Sequence, residues 1–207
     1  MLKIFGFPTF NLGKVLITAE ELALNYEYVP LDPTRGEHKS PEHLKRHPGG
    51  KIPAIEHDGR PLFESAAIAR YFANISKSDL YPEDPYKRAQ VDQWLDYSVS
   101  HVGRWFSVYF WEKIIQKRYF AKDPNLEALK EADRFLAQHL PVLEKQLEKN
   151  TFLAHDNFSL ADIFAFCHID THKETGIDIS HYPQLSHWYQ NINARKSILA
   201  YRKILKH

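Results

Sequence analysis

Two residue pairs have the types and the setting to hold a charged small molecule. Glu64-Ser65 stands just before Ile68, Tyr71, Phe72 and Ile75, whose spacing of three and four predicts one apolar face of a helix. The pair therefore falls where a helix presents backbone N–H groups without intrahelical partners, and such an end favours an anion. The Ser65 hydroxyl with a backbone N–H can hold a carboxylate, and the Glu64 carboxylate can accept from an ammonium. A ligand with both groups, such as the end of a γ-glutamyl peptide, suits the pair. Capping is the competing reading, because Ser is a common N-cap and Glu a common first-turn residue. The second pair, His38-Lys39, lies in the polar, turn-rich stretch Pro33 to Pro48. A cation pair in a loop suits a carboxylate, and a solvated lysine is the ordinary alternative. His43 and His47, and His168 with His172, resemble metal ligands, but no acidic or cysteine partner completes a set, so no metal is expected.

These pairs need elements to position them. Leu2 to Phe5 reads as a first strand, Gly6 to Gly13 as a loop, Lys14 to Ala23 as a helix and Tyr26 to Pro30 as an alternating strand, which together make a βαβ unit. Pro41 to Arg46 is a short helix. Ile52 to Phe63 is a β-hairpin with Asp58-Gly59 at its tip, and the helix after Glu64-Ser65 follows it. The order β-α-β-α-β-β-α is that of the thioredoxin-like fold. Ser76 to Pro85, rich in Asp and Pro, is a linker. The expected organisation is thus an α/β thioredoxin-like domain at 1–76, a linker at 77–86 and an all-α helical domain at 87–207.

In the second domain a long amphipathic helix from Tyr86 to about Tyr119 is followed by an antiparallel one carrying Leu126, Leu129, Leu136, Leu140, Leu143 and Leu147, with Pro141 expected to kink it. Trp105, Phe106, Tyr109, Phe110 and Trp111 cover most of a helix circumference, so some must face a cleft or a partner chain. Ser159-Leu160-Ala161-Asp162 has the form of a capping box, with Cys167 in the core beyond it. Pro183 to Asn193 and Ser197 to Lys206 supply two last helices. A net charge of +1, from 27 basic and 26 acidic residues without a dense basic run, gives no nucleic-acid footprint. No stretch approaches the ~18 apolar residues of a membrane span, and the N-terminus lacks a signal peptide, so a cytoplasmic protein is expected. The single cysteine, Cys167, excludes an internal disulfide and a Cys-x-x-Cys pair.

The run from Gly49 to Ala73, GGKIPAIEHDGRPLFESAAIARYFA, resembles the glutathione-binding half of the cytosolic glutathione S-transferases. The resemblance implies a cis Pro53 that turns the Ile52 backbone toward the cysteinyl unit of glutathione. It further implies Glu64 and Ser65 on the γ-glutamyl group and Lys51 near the peptide's backbone or carboxylates. His38-Lys39 resembles the pair that plant phi-class enzymes use at the glycyl carboxylate. Thr9-Phe10-Asn11 resembles the Thr-Pro-Asn of bacterial nu-class and yeast prion-like transferases, with Phe10 in place of proline. By that likeness Thr9 gives a hydroxyl and Asn11 an amide donor to the sulfur; a turn or N-cap role is the alternative for each. The family's acceptor pocket would fall on Phe10, Trp105, Phe106, Tyr109 and Phe110. The implied activity is addition of the glutathione thiolate to an apolar electrophile, a detoxification reaction, by a homodimer with glutathione as co-substrate. Glutathione-dependent reduction of disulfides or peroxides is a second reading, and a non-catalytic interaction protein a third, supported by the absence of Tyr, Ser or Cys from the first loop.

Overall fold

The central strand is β1 (Leu2–Gly6), which pairs on both sides. In the computed structural model, which describes residues 1–204, one four-stranded sheet has the order β2-β1-β3-β4. β1 runs parallel to β2 (Tyr26–Pro30), with Gly6 opposite Pro30, and antiparallel to β3 (Ala54–His57), with Phe5 opposite Ala54. β3 pairs antiparallel with β4 (Arg60–Phe63), with Ala54 opposite Phe63. Asp58 and Gly59 join them with φ of 50° and 77°, the left-handed pair that a two-residue hairpin turn requires. The core of this unit joins Leu2, Ile4 and Ile55 from the sheet to Leu12, Val15, Leu16 and Ala19 from α1 (Phe10–Glu21) and to Ile68 and Phe72 from α3 (Ser65–Ile75). Between β2 and β3 lie a single 3-10 turn, Glu37–Lys39, and α2 (Pro41–Arg46).

Two boundaries differ from expectation. α1 begins at Phe10, not Lys14, because Thr9 is extended (φ −153°, ψ 161°) and its Oγ1 accepts from Leu12 N at 3.3 Å. That cap stabilises helical turns through Asn11 and Gly13, poor helix formers that the sequence pattern reads as loop. In α3 the buried face is Ile68, Ala69, Phe72 and Ala73, whereas Ile75 is 47% exposed.

The described residues divide into two compact units, Met1–Tyr81 with the segment from Arg195 to Ile204, and Pro82–Ala194. The expected helical domain at 87–207 is corrected at its end, because α11 (Lys196–Ile204) packs on α1 of the first unit. Of the helix expected over Ser197 to Lys206, Leu205 and Lys206 lie outside the described residues. The docking is anchored chemically: Arg195 donates Nε and Nη2 to the two Glu21 oxygens, each at 2.7 Å, and the Ser197 hydroxyl donates to Glu21 Oε1. A bidentate pair of this kind fixes geometry as well as adding energy.

The second unit is helical. The expected long helix is real in extent but not in phase. α4 (Pro85–Tyr97), α5 (Arg104–Phe110) and α6 (Gln116–Phe120) are separated by π-helical turns at Ser98–Gly103 and Trp111–Ile115. Each wider turn rotates the following side chains off the three/four pattern. Gly103 sits where a Cβ would fall 2.2 Å from the His168 ring, so only glycine lets α8 (Leu160–Ile169) approach here. α7 (Leu126–Leu147) continues through Pro141 and buries Leu129, Leu136, Leu140, Leu143 and Leu147, while Leu126 is 73% exposed. α9 (His172–Thr175) and α10 (Pro183–Asn193) complete the unit.

The Ser159–Asp162 capping box forms, and every residue of α8 is buried. Asp162 Oδ1 accepts from Leu153 N at 2.9 Å and Trp188 Nε1 at 3.0 Å, and Oδ2 from Ser159 N and Oγ, both at 3.0 Å. Burial pushes this carboxyl up, and the donors act against that push. No described helix is long and apolar enough to cross a membrane.

Burial alone would raise the Glu21 carboxyl, but the Arg195 and Ser197 hydrogen bonds and the Arg195 charge hold it below its ordinary value. A depressed carboxylate stabilises the folded state above its unfolded pKa, and that contribution disappears as pH falls through the lowered folded value. Arg195→Ala is expected to cost about 2 kcal/mol in urea unfolding at pH 7. The deficit should shrink as pH falls through the lowered folded value of Glu21, because protonation removes the charge that Arg195 holds. A deficit independent of pH would show that the carboxylate is not what holds α11.

Candidate active site

The register of the sheet delivers the candidate residues to one end of it. β1, β2 and β4 finish there and β3 starts there, since Gly6 faces Pro30 and Ala54 faces both Phe5 and Phe63. Four segments therefore leave the sheet together: the loop into α1 with Thr9, the 31–40 segment with His38 and Lys39, the approach to β3 with Lys51, Ile52 and Pro53, and the step into α3 with Glu64 and Ser65. Ring contact ties two of them directly, Phe7 meeting His38 edge-on at 5.7 Å.

At the first segment, Thr9 uses an oxygen lone pair to cap α1, which leaves its O–H proton to give elsewhere. The cap role and a donor role are therefore compatible. Asn11, the second residue of α1, accepts at Oδ1 from Lys14 Nζ at 2.8 Å, and Lys14 is only 2% exposed. The Lys14 ammonium also lies 5.4 Å from the centre of the Phe10 ring. Sequence reading passed over Lys14; the i, i+3 spacing from Asn11 was the signal for it once helix begins at Phe10.

The second and third segments are locked to each other. Lys39 Nζ donates to Gly49 O at 3.0 Å, and the buried His43 bonds through Nε2 to Lys51 O at 2.8 Å. His47 accepts from Gly49 N at Nδ1 (3.2 Å) and packs its ring 4.6 Å from Phe63. Gly50 has φ +55°, and a Cβ there would fall 2.7 Å from Lys39 Cδ and 3.0 Å from His38 O. His43, His47 and Gly50 thus form a scaffold beneath Lys39 and Lys51. Burial lowers the His38 pKa, as do the Lys39, His43 and Lys51 charges; burial also lowers that of His47, against a pull upward from Glu64. Ile52–Pro53 is cis, and Ile52 lies outside the β1–β3 ladder, which starts at Ala54. Among the described residues no three His, Cys, Asp or Glu side chains gather as a metal site.

The fourth segment corrects the capping alternative. Ser65 is the first residue of α3 rather than its cap, and Glu64, at the cap position, makes no side-chain bond to the helix. Glu64 instead has φ 71° and ψ 115°, a left-handed setting that costs a non-glycine residue about 1–3 kcal/mol. Neither residue is there to end the helix well.

In the second unit the aromatic cluster is sorted by burial. Phe106 is fully buried, and Trp105, 7% exposed, stacks on Phe135 with centroids 4.3 Å apart and planes at 4°. Tyr109 donates its hydroxyl to Asp133, and burial together with that bond pushes its pKa up. Trp105 and Phe106 are core residues of the helical unit, which corrects their expected place in an acceptor pocket. Phe110 is partly exposed, and Trp111 is 48% exposed.

Comparison with known proteins matches residues 1–74 to the family model for the glutathione S-transferase N-terminal domain and residues 106–196 to that for the C-terminal domain. Glutathione S-transferase 1 of Zea mays is 30% identical over 217 residues, covering 99% of this chain and 97% of its own. Glutathione transferase F2 from Populus trichocarpa superposes with a TM-score of 0.93 at 27% identity, covering 100% of this chain and 99% of that one. A glutathione S-transferase I solved with lactoylglutathione gives a TM-score of 0.90 at 28% identity, covering 99% and 98%. These plant relatives support the phi-class side of the resemblance and lend the nu-class side no support.

The scaffold beneath Lys39 depends on Gly50. Gly50→Ala is expected to lower stability by about 1–2 kcal/mol, because alanine is strained at this φ and its Cβ presses on His38 O. Urea denaturation checks this; an unchanged midpoint would mean that the 36–39 segment moves aside freely.

Proposed function

The chain belongs to the glutathione S-transferase family and is an enzyme of that family, and on that premise we propose how its own residues carry out the transfer. The reading rests on one observation above the rest: the sheet brings a hydroxyl and an amide at the start of α1 to the same end as the open start of α3. Residues 1–76 form the glutathione-binding domain in this proposal, with 77–86 as linker. The Glu64 carboxylate accepts from the γ-glutamyl ammonium. The Ser65 hydroxyl and the first N–H groups of α3 hold the γ-glutamyl carboxylate. The Ile52 backbone pairs with the cysteinyl unit, while Lys51, Lys39 and His38 face the glycyl end. Ion-paired at both ends, the peptide has its sulfur directed to Thr9 and Asn11.

The thiol loses its proton to solvent, and the resulting thiolate accepts from the Thr9 O–H and the Asn11 N–H. Stabilising the anion lowers the thiol pKa and raises the reactive fraction at neutral pH. The sulfur lone pair then attacks an electrophilic carbon, forming the C–S bond as a leaving group departs or a conjugated double bond takes the electron pair. No protein nucleophile enters, and the single cysteine is buried in α8. For the apolar acceptor, Phe110 is the partly exposed ring of the helical unit's aromatic run, and the Tyr109 hydroxyl beside it in the chain is held by Asp133. A homodimer acting in the cytoplasm, where glutathione is kept reduced, is part of the same proposal.

Thiolate absorbance of bound glutathione tests it. The unsubstituted protein should depress the thiol pKa by at least about one unit, and Thr9→Ala and Asn11→Ala should each return much of that shift. Ser65→Ala should weaken glutathione binding about tenfold with little change in thiol pKa. A bound thiol titrating like free glutathione would overturn the assignment of Thr9 and Asn11.

A further inference from the structure

A buried cation stands at the start of the second turn of α1, next to the donors assigned to the sulfur. Lys14 is 2% exposed, in a run where Val15, Leu16 and Ala19 are fully buried. Burying an ammonium is costly unless it is partnered, so packing alone favours an apolar side chain at this position. The partners are specific: Nζ donates to Asn11 Oδ1 at 2.8 Å and lies over the Phe10 ring at 5.4 Å. An ammonium has donors only. The atom of Asn11 that meets it must therefore be the carbonyl oxygen, and the Nδ2 group is turned to the other side. An unrestrained amide would present either its oxygen or its N–H groups to a ligand, and an oxygen facing a thiolate repels it.

We infer that Lys14 is a positioning residue that holds the Asn11 amide so that its N–H donors, not its oxygen, face the glutathione sulfur. The inference rests on the reading of Asn11 given above. Phe10 contributes an aromatic face that keeps the ammonium in place. Sulfur activation in this chain thus runs Phe10 to Lys14 to Asn11, within one helical turn.

Lys14→Met keeps the length and apolar stem of the side chain and removes its donors. Bound glutathione should then titrate about one unit higher, leaving roughly tenfold less thiolate at pH 6.5. kcat should fall by a similar factor at that pH and recover as pH rises, with KM for glutathione within about twofold. Lys14→Arg should restore most of the activity. In an Asn11→Ala background, Lys14→Met should change the thiol pKa little further, since it acts through Asn11. An unchanged thiol pKa in Lys14→Met, or an undiminished shift in the Asn11→Ala background, overturns the inference. If Lys14→Met does not fold, nitrogen NMR on the unsubstituted protein decides: a scalar coupling from the Lys14 ammonium to Asn11 Cγ is expected, and its absence overturns the inference. Failure of the parent reading looks different, because there the unsubstituted protein itself leaves the thiol pKa at its free value.

Discussion

The structure depends on the register of β1. Parallel pairing with β2 and antiparallel pairing with β3 place Val29, Phe5, Ala54 and, through the hairpin, Phe63 in one row, with Gly6 and Pro30 one residue beyond it. A one-residue slip in any ladder would turn Ile4 or Ile55 from the core toward the opposite face, so the hydrophobic pattern specifies the register strongly. The same row decides where four loops begin. The candidate site is therefore a by-product of the pairing that buries the core, which is why residues as far apart as Thr9 and Ser65 come to one end of the sheet.

Beyond that row, the candidate site is held by contacts among its own loops. His43 fixes the Lys51 carbonyl, Lys39 spans to Gly49, and Gly50 leaves room for Lys39 and for the His38 carbonyl. These contacts convert a polar loop into a platform at modest energetic cost, because each uses a backbone carbonyl that would otherwise be solvated. The strain at Glu64 belongs to the same economy. An outlier backbone with no capping bond persists only where the surroundings enforce it, here by β4 on one side and α3 on the other.

Much of this was legible in the sequence. The alternation in Tyr26–Pro30, the Asp58-Gly59 turn and the Ser159–Asp162 box each carry a short-range physical signal, and each appears where the pattern puts it. What was not legible depends on contacts distant in sequence or on backbone geometry without a residue signature. The start of α1 was hidden because Thr9 supplies a cap to a segment of poor helix formers. The π turns at Ser98–Gly103 and Trp111–Ile115 carry no compositional mark, and once the phase shifts, periodicity can no longer separate core from surface. Trp105 and Phe106, which the resemblance puts in a pocket, are buried in the helical unit. The placement of α11 required knowing that Arg195 meets Glu21, a pairing that no local pattern records.

The aromatic residue at Phe10 connects these points to chemistry. A proline at that position would set the entry to α1 by fixing φ. With phenylalanine, the entry is set by the Thr9 cap, and the ring lies over a buried ammonium. The ammonium in turn dictates which end of the Asn11 amide it meets. A first loop without Tyr, Ser or Cys is thus accompanied by a contact that orders the Asn11 amide. Orientation, rather than the number of donors, is what electrostatic stabilisation of an anion rewards, since a preorganised dipole costs no rearrangement when the charge develops.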